Sequence, residues 1–298
     1  MFERLKRAAI GIALAAAALP LLSGSRPALL DWREPPPAWT SQSLVAHAMG
    51  SVDQLFFTNS REAFEQNYAR GYRVFEVDLQ LTTDGFLLSR HDWGNYLYDR
   101  FKQVIPREQM DRPAPLEPLL SLPIYGRYHA MSFEQIVELL QNHPDLWIVT
   151  DTKGTSEEEV RQQFEAMMRA ASGKEGVLER VIPQLYSRDM LRWVESIHAF
   201  PSYIYTLYQS QDSERQVLDF VLAEPKVDAI TMAQDRALKS APFIAKLASM
   251  RVPVYAHTVN DETIIRDLAA IGVHGIYSDS MTYGRLEQSR IQLPKRNS

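Results

Sequence analysis

Eight short β-rich runs recur along this chain, and segments with helical spacing lie between most of them. The runs are SLVAHA (43–48), YRVFEVDLQL (72–81), LWIVTD (146–151), VIPQLY (181–186), YIYTLY (203–208), VDAITM (227–232), VPVYAHT (252–258) and HGIYSD (274–279). This alternation is the strongest constraint that the sequence carries. Strands separated by helices read as a parallel sheet. Eight such units over ~250 residues predict an α/β fold, a closed (β/α)8 TIM barrel. An open doubly wound sheet is the alternative. No G-x-G-x-x-G follows the first strand, so nothing points to a dinucleotide site. Several helical segments open on a capping residue, at Asn59, Ser132, Thr155 and Asn260, and two end at Gly71 and Gly272.

The alternation does not reach the N-terminus. Arg4, Lys6 and Arg7 precede an apolar run from Ala8 to Leu22, and small residues follow. That is the layout of a secretory signal peptide. The run is short of the ~20 apolar residues of a membrane span. Residues 1–25 are therefore expected to be a signal peptide, with a membrane anchor, and so membrane association, as the alternative. Either implies export, to the periplasm or the outer face of the cytoplasmic membrane. Residues 26–43, with their Pro-rich REPPP, are expected to be a linker, and 44–290 the barrel domain. One segment, 93–131, is too long for an ordinary connection and is rich in Pro and aromatics. It is expected to be an insertion at the barrel rim, either a functional lid or a packed surface excursion. The chain has no cysteine, so disulfides, thiolate metal sites and a cysteine nucleophile are excluded. A net charge of −5 offers no hint of a nucleic-acid partner.

The chemistry is expected where strands end. Alternate residues of a barrel strand point inward. If Val77, Leu79 and Leu81 pack outward under helices, Glu76 and Asp78 face the interior near the C-terminal end of the second strand. Active sites of such barrels lie at that end. Asp84-Gly85 is a hairpin signal that returns the chain and brings His91 to the same rim. His47, Asp151 with Lys153, and His257 stand at the ends of three other strands. Clustered carboxylates stay ionised only if a cation compensates them. All-oxygen ligation suits a divalent cation, Mg²⁺ or Ca²⁺. Imidazoles beside it suit acid–base work, and Lys153 suits an anionic substrate. Each feature has a plainer reading as well. A solvated strand face also gives Glu-x-Asp, and Asp151 could simply pair with Lys153.

HAMG (47–50), TNSREAF (58–64), GYRVFEVDLQLTTDG (71–85) and HD (91–92) resemble the H-R-G, E-N-T, E-x-D, D-G and H-D pattern of the glycerophosphodiester phosphodiesterase family. That family belongs to the wider group of barrels that includes phosphatidylinositol-specific phospholipase C. DTK (151–153) resembles its E-x-K, YAHTVND (255–261) its W-T-x-N, and GVHGIYSD (272–279) its G-V-D-G-I-x-T-D. The resemblance implies that Glu76, Asp78 and Asp151 hold the divalent ion. His47 and His91 would be the acid–base pair and Lys153 would grip the phosphate. Asn59 and His257, in matched segments, are further substrate-side candidates. There are departures: Ala48-Met49 replace the Arg of H-R-G, Thr58 replaces the Glu of E-N-T, and His257 replaces the Trp of W-T-x-N. Asp151 is one methylene shorter than the family's Glu. Arg90 and Arg73 are the nearby candidates to replace the lost guanidinium.

The expected function is an exported, metal-dependent hydrolysis of a small-molecule or lipid-derived phosphodiester, from lipid head groups or envelope polymers. Two alternatives use the same residues: a catalytically weak barrel that binds phosphorylated envelope components, and a phospholyase that gives a cyclic phosphate.

Overall fold

Strand pairing closes the expected alternation into a ring. The computed structural model describes residues 36–208 and 210–294. Its parallel strands are β1 (Leu44–Ala46), β2 (Val74–Leu81), β4 (Trp147–Asp151), β5 (Val181–Leu185), β6 (Tyr203–Thr206), β7 (Val227–Ala233), β8 (Val254–His257) and β9 (Gly275–Ser278). Each pairs with the next, β9 returns to β1, and β1 pairs with β2. The result is a closed eight-stranded TIM barrel. Strand β3 (Leu87–Ser89) lies outside the ring, antiparallel on the end of β2. The hairpin expected at Asp84-Gly85 is therefore present, with Gly85 at φ 82°. The signal peptide or anchor expected over 1–25 lies outside the described residues, as does the first part of the linker. Among the described residues, no helix is long and apolar enough to cross a membrane.

Strand parity divides the core in two. Val45, Val74, Val149, Ile182, Ile204, Ala229, Tyr255 and Tyr277 fill the barrel. Phe75, Val77 and Leu79 belong instead to the outer cluster, with helix residues such as Phe64, Ile136 and Phe164. Glu76 and Asp78 are thus committed to the interior. The helices bury one stripe each: α4 (Phe133–Asn142) buries Phe133, Ile136, Val137 and Leu140, at helical spacing. Its Ser132 forms a capping box with Gln135.

Several expected boundaries move. Helix α1 (Arg61–Ala69) is capped by Ser60, α5 (Glu157–Ala170) by Ser156, and α10 (Glu262–Ala270) by Asp261. Each is one residue beyond the expected Asn59, Thr155 and Asn260. Both displaced asparagines work in the rim, as described below. The helical segment around Pro242 is two helices, α8 (Gln234–Leu238) and α9 (Ala241–Ser249). Proline lacks an N–H and fits only the first turn, so the second helix starts afresh there.

The last part of the expected linker is not a linker. Residues Ala38–Ser41 form a 3-10 turn that buries Trp39 completely. Its indole stacks on Tyr255 with centroids 5.8 Å apart and donates from Nε1 to Ser202 Oγ at 2.9 Å. A side chain on Gly275 would fall 2.5 Å from the Tyr255 ring, so that close packing requires glycine. Past residue 290, Ile291 and Leu293 are still buried in the outer cluster. The packed unit therefore extends beyond the expected 44–290 at both ends.

The 93–131 segment packs as a structured insertion. It carries α2 (Asn95–Phe101) and α3 (Leu116–Leu120). Leu88, Tyr98 and Leu119 form its small core, with Trp93, Ile105 and Met110 around it. The Arg90 guanidinium lies 4.1 Å over the Tyr98 ring and donates to Gln103 Oε1 at 3.2 Å.

Trp39→Ala is expected to cost about 3–5 kcal/mol in urea unfolding, as for other large buried aromatics. Metal affinity at the opposite end of the barrel should not change. A loss under about 1 kcal/mol would show that the indole is not part of the core.

Candidate active site at the barrel rim

The strand register builds the acidic cluster. Asp78 of β2 is the direct partner of Asp151 of β4, and Glu76 lies two residues deeper on the same face. Carboxylate oxygens of Glu76, Asp78 and Asp151 all lie within 4.8 Å of one another. Glu76 is 1% exposed. Its Oε2 accepts the Ala48 amide at 2.7 Å, while its Oε1 is buried with no partner. A buried carboxylate oxygen left bare is costly, and a divalent cation between three acids would satisfy it. The donor set therefore fits a hard ion.

Each acid is held by a second residue. Asn59 is fully buried; it donates from Nδ2 to Asp78 Oδ2 at 2.8 Å and accepts the Asp78 amide at 3.0 Å. It is absent from the cleft lining, and both of these bonds are spent on Asp78. Tyr186 donates its hydroxyl to Asp151 Oδ1. Lys153, at φ 59°, reaches back to Asp78 Oδ1 at 2.7 Å and to Asp151 Oδ2 at 3.7 Å. The plainer reading of Asp151 as the partner of Lys153 is thus half right, because the lysine binds Asp78 more closely.

Burial, then the neighbouring Asp78 charge, pushes Glu76 up to about 8. Burial also pushes Asp151 up to about 7, against the pull of Lys153. Burial would raise Asp78 too, but Lys153, His91 and His47 outweigh it and hold its carboxyl below the ordinary range. Without added positive charge, the cluster cannot ionise completely near neutral pH.

The two imidazoles flank the cleft. His47 follows β1, and its Nδ1 meets Asp279 Oδ1 at 2.8 Å. Asn260 in turn donates to Asp279 Oδ2 at 2.7 Å. Burial would lower the His47 pKa, yet the bond to Asp279 and the charges of Glu76, Asp279 and Asp78 raise it to about 9. His91 pairs through Nδ1 with Asp92 Oδ2 at 2.7 Å, and Tyr96 donates to the same oxygen. Phe57 lies between them, its ring 5.2 Å from His47 and 6.0 Å from His91. His257 lines the cleft from β8. Burial and the His47 charge lower it to about 4, and its Nε2 is buried with no partner. It is therefore a neutral ring at physiological pH.

Seven of the eight expected residues, all but Asn59, line one cleft of about 320 Å³. Neither proposed substitute for the lost arginine does. Arg90 is buried and bonds the Asp92 carbonyl at 2.7 Å. Arg73 precedes β2, at the opposite end of the barrel, and pairs with Asp145 at 2.5 Å. Ala48 and Met49 make a left-handed turn, at φ 48° and 68°, that aims the Ala48 amide at Glu76 and buries Met49. Asp279 and Tyr186 went unassigned in the sequence. Asp279 stood in a matched motif, the one signal that could have singled it out; Tyr186 had none.

Comparison with known proteins bears on the family and the fold. Residues 50–282 match the family model described as "Glycerophosphoryl diester phosphodiesterase family". Among curated proteins, none matches the chain by sequence. The fold is similar to a glycerophosphodiester phosphodiesterase from Parabacteroides distasonis: TM-score 0.67, 14% identity, 85% of this chain and 99% of that one covered. It is similar to an Oleispira antarctica phosphodiesterase in complex with the product sn-glycerol-3-phosphate: TM-score 0.64, 17% identity, 84% and 96% covered. A Thermotoga maritima glycerophosphodiester phosphodiesterase gives TM-score 0.62 at 17% identity, with 83% and 97% covered. At these identities the structural likenesses speak to the fold alone.

Raised carboxyl pKa values link metal binding to protons. A carboxyl raised on folding stabilises the fold while protonated, and that contribution is lost as pH rises through its folded value. Metal-free protein should lose this contribution as pH climbs towards about 7–8, where added cation binds without displacing protons. The rise in melting temperature on adding Mg²⁺ or Ca²⁺ should therefore be larger near pH 9 than near pH 6, and Glu76→Gln should flatten that difference. A metal-induced rise that is independent of pH, or absent, contradicts this linkage.

Proposed function

Since the chain belongs to the glycerophosphoryl diester phosphodiesterase family, we propose that this cleft hydrolyses a glycerophosphodiester-like substrate with His47 and His91 as its acid–base pair. The observation that carries the proposal is the placement of two imidazoles, each tied through Nδ1 to a carboxylate, beside a buried three-acid cluster with one bare oxygen. A divalent cation bound there, Mg²⁺ or Ca²⁺, would polarise a non-bridging phosphoryl oxygen and stabilise the charge that develops on it.

The protein's own groups carry the proton transfers. Asp279 fixes His47 with Nδ1 as the donor to the carboxylate, which leaves Nε2 for the substrate. The Asp279 carboxylate on Nδ1 favours the protonated ring, and on this reading His47 is the general acid. It gives its Nε2 proton to the leaving alcohol oxygen as the P–O ester bond breaks. His91, oriented by Asp92, takes the proton of the attacking hydroxyl as the new P–O bond forms. The attacking oxygen belongs to water or to a neighbouring hydroxyl of the substrate. Lys153 supplies positive charge at the base of the cleft for the anionic diester, and His257 a neutral polar wall.

Export completes the reading. The basic start and apolar run of residues 1–25 support delivery to the periplasm or the outer face of the cytoplasmic membrane. Lipid head groups and envelope polymers offer phosphodiesters there.

Purified protein with Mg²⁺ or Ca²⁺ is expected to hydrolyse glycerophosphodiesters. His47→Ala and His91→Ala should each lower kcat by about 10²–10⁴, the usual weight of a positioned acid or base. Calorimetry should find their metal affinity close to that of the unaltered chain. Full turnover in either variant rejects the pair as acid and base. No turnover with either metal rejects the phosphodiesterase reading.

A further inference from the structure

The insertion places a guanidinium over Phe57, a residue of the cleft lining, and the inner machinery does not use it. Helix α2 buries Tyr98 in the insertion's small core and Leu97 and Phe101 in the outer cluster. Arg90 stacked on Tyr98 fixes that face. Tyr96 and Arg100, one turn apart, are left on the exposed side. Tyr96 reaches the Asp92 carboxylate that holds His91. Arg100 places its Cζ 4.9 Å over the Phe57 ring, whose edges meet both imidazoles. One helix face thus touches Asp92 and Phe57, two residues that adjoin the cleft imidazoles.

Arg100 has no carboxylate partner among the described residues. Its charge is supported only by the ring beneath it, which holds the guanidinium while leaving its N–H groups to solvent or ligand. The inner cations differ in that each has an acid partner, Lys153 with Asp78 and His47 with Asp279.

We propose that Arg100, seated on Phe57, is an outer subsite for a second anionic group of the substrate, a phosphate or carboxylate one short alcohol unit away from the scissile phosphodiester. The preferred substrates are then diesters whose alcohol carries further negative charge, such as a phosphodiester-linked chain, rather than those with a neutral or cationic alcohol. Planar guanidinium recognition of such oxygens is directional, so the subsite also sets which way the substrate lies in the cleft. The inference rests on the phosphodiester reading of the inner cleft, but it is tested separately from it.

The test is calorimetric binding of glycerol 1,3-bisphosphate and of sn-glycerol 3-phosphate, each with Mg²⁺ present. The unaltered chain is expected to favour the bisphosphate by about tenfold, the scale of one partly screened charge-assisted contact. Arg100→Gln, an exposed substitution, should bring the ratio close to that expected from statistics alone. Arg100→Lys should keep part of the preference, and added salt should shrink it. A ratio near one in the unaltered chain, or one unchanged in Arg100→Gln, overturns the subsite. Equilibrium binding needs no turnover, so a chain that failed to hydrolyse any diester would sink the reading of the inner cleft, while the ratio would still decide the subsite.

Discussion

The rim is organised by one strand register. Pairing β2 with β4 so that Asp78 lies opposite Asp151 puts two carboxylates side by side on the inner face, with Glu76 two residues below. Three acids packed this closely repel one another, and positive charge must be brought to them. Lys153 and His47 supply part of it, and the bare Glu76 Oε1 marks where more is needed. Other rim features follow from this. The β1–β2 closure brings His47 beside Glu76, and the left-handed turn after it gives Glu76 an amide. The hairpin returns His91 to the same place.

Precision at the rim comes from residues that hold the acids and His47 in place. Asn59 grips Asp78 from both its carboxylate and its amide, and Tyr186 holds Asp151. Asn260 holds Asp279, which holds His47. Such pairings fix rotamers before any substrate arrives, which is how a site avoids reorganisation during reaction. The opposite end of the barrel is built differently, from Trp39, Tyr255 and a glycine that lets them meet. Chemistry and sealing are thus separated along the barrel axis.

How much of this could be read from the chain depends on whether a residue's role is set locally. Strand parity is local, so the inward aim of Glu76 and Asp78 was legible from VFEVDLQL. The hairpin was legible from Asp-Gly. Asn59 and Asn260 were read as caps, and Asn59 also as a substrate-side residue; their neighbours Ser60 and Asp261 can cap equally well, and nothing in the sequence says which does. Their real partners, Asp78 and Asp279, lie 19 residues away in each case. Trp39 sits in a stretch whose prolines suggest a linker; only its contact with Tyr255, more than two hundred residues on, makes it core. Arg90 stood near the right motif, but the insertion's own small core turned it away from the cleft.

Anomalous diffraction from crystals soaked in Mn²⁺ tests the central claim most directly. The account predicts one strong peak bonded at about 2–2.6 Å to oxygens of Glu76, Asp78 and Asp151, with the Lys153 ammonium displaced from Asp78. A peak elsewhere, or no peak with Lys153 still bridging the acids, would contradict it.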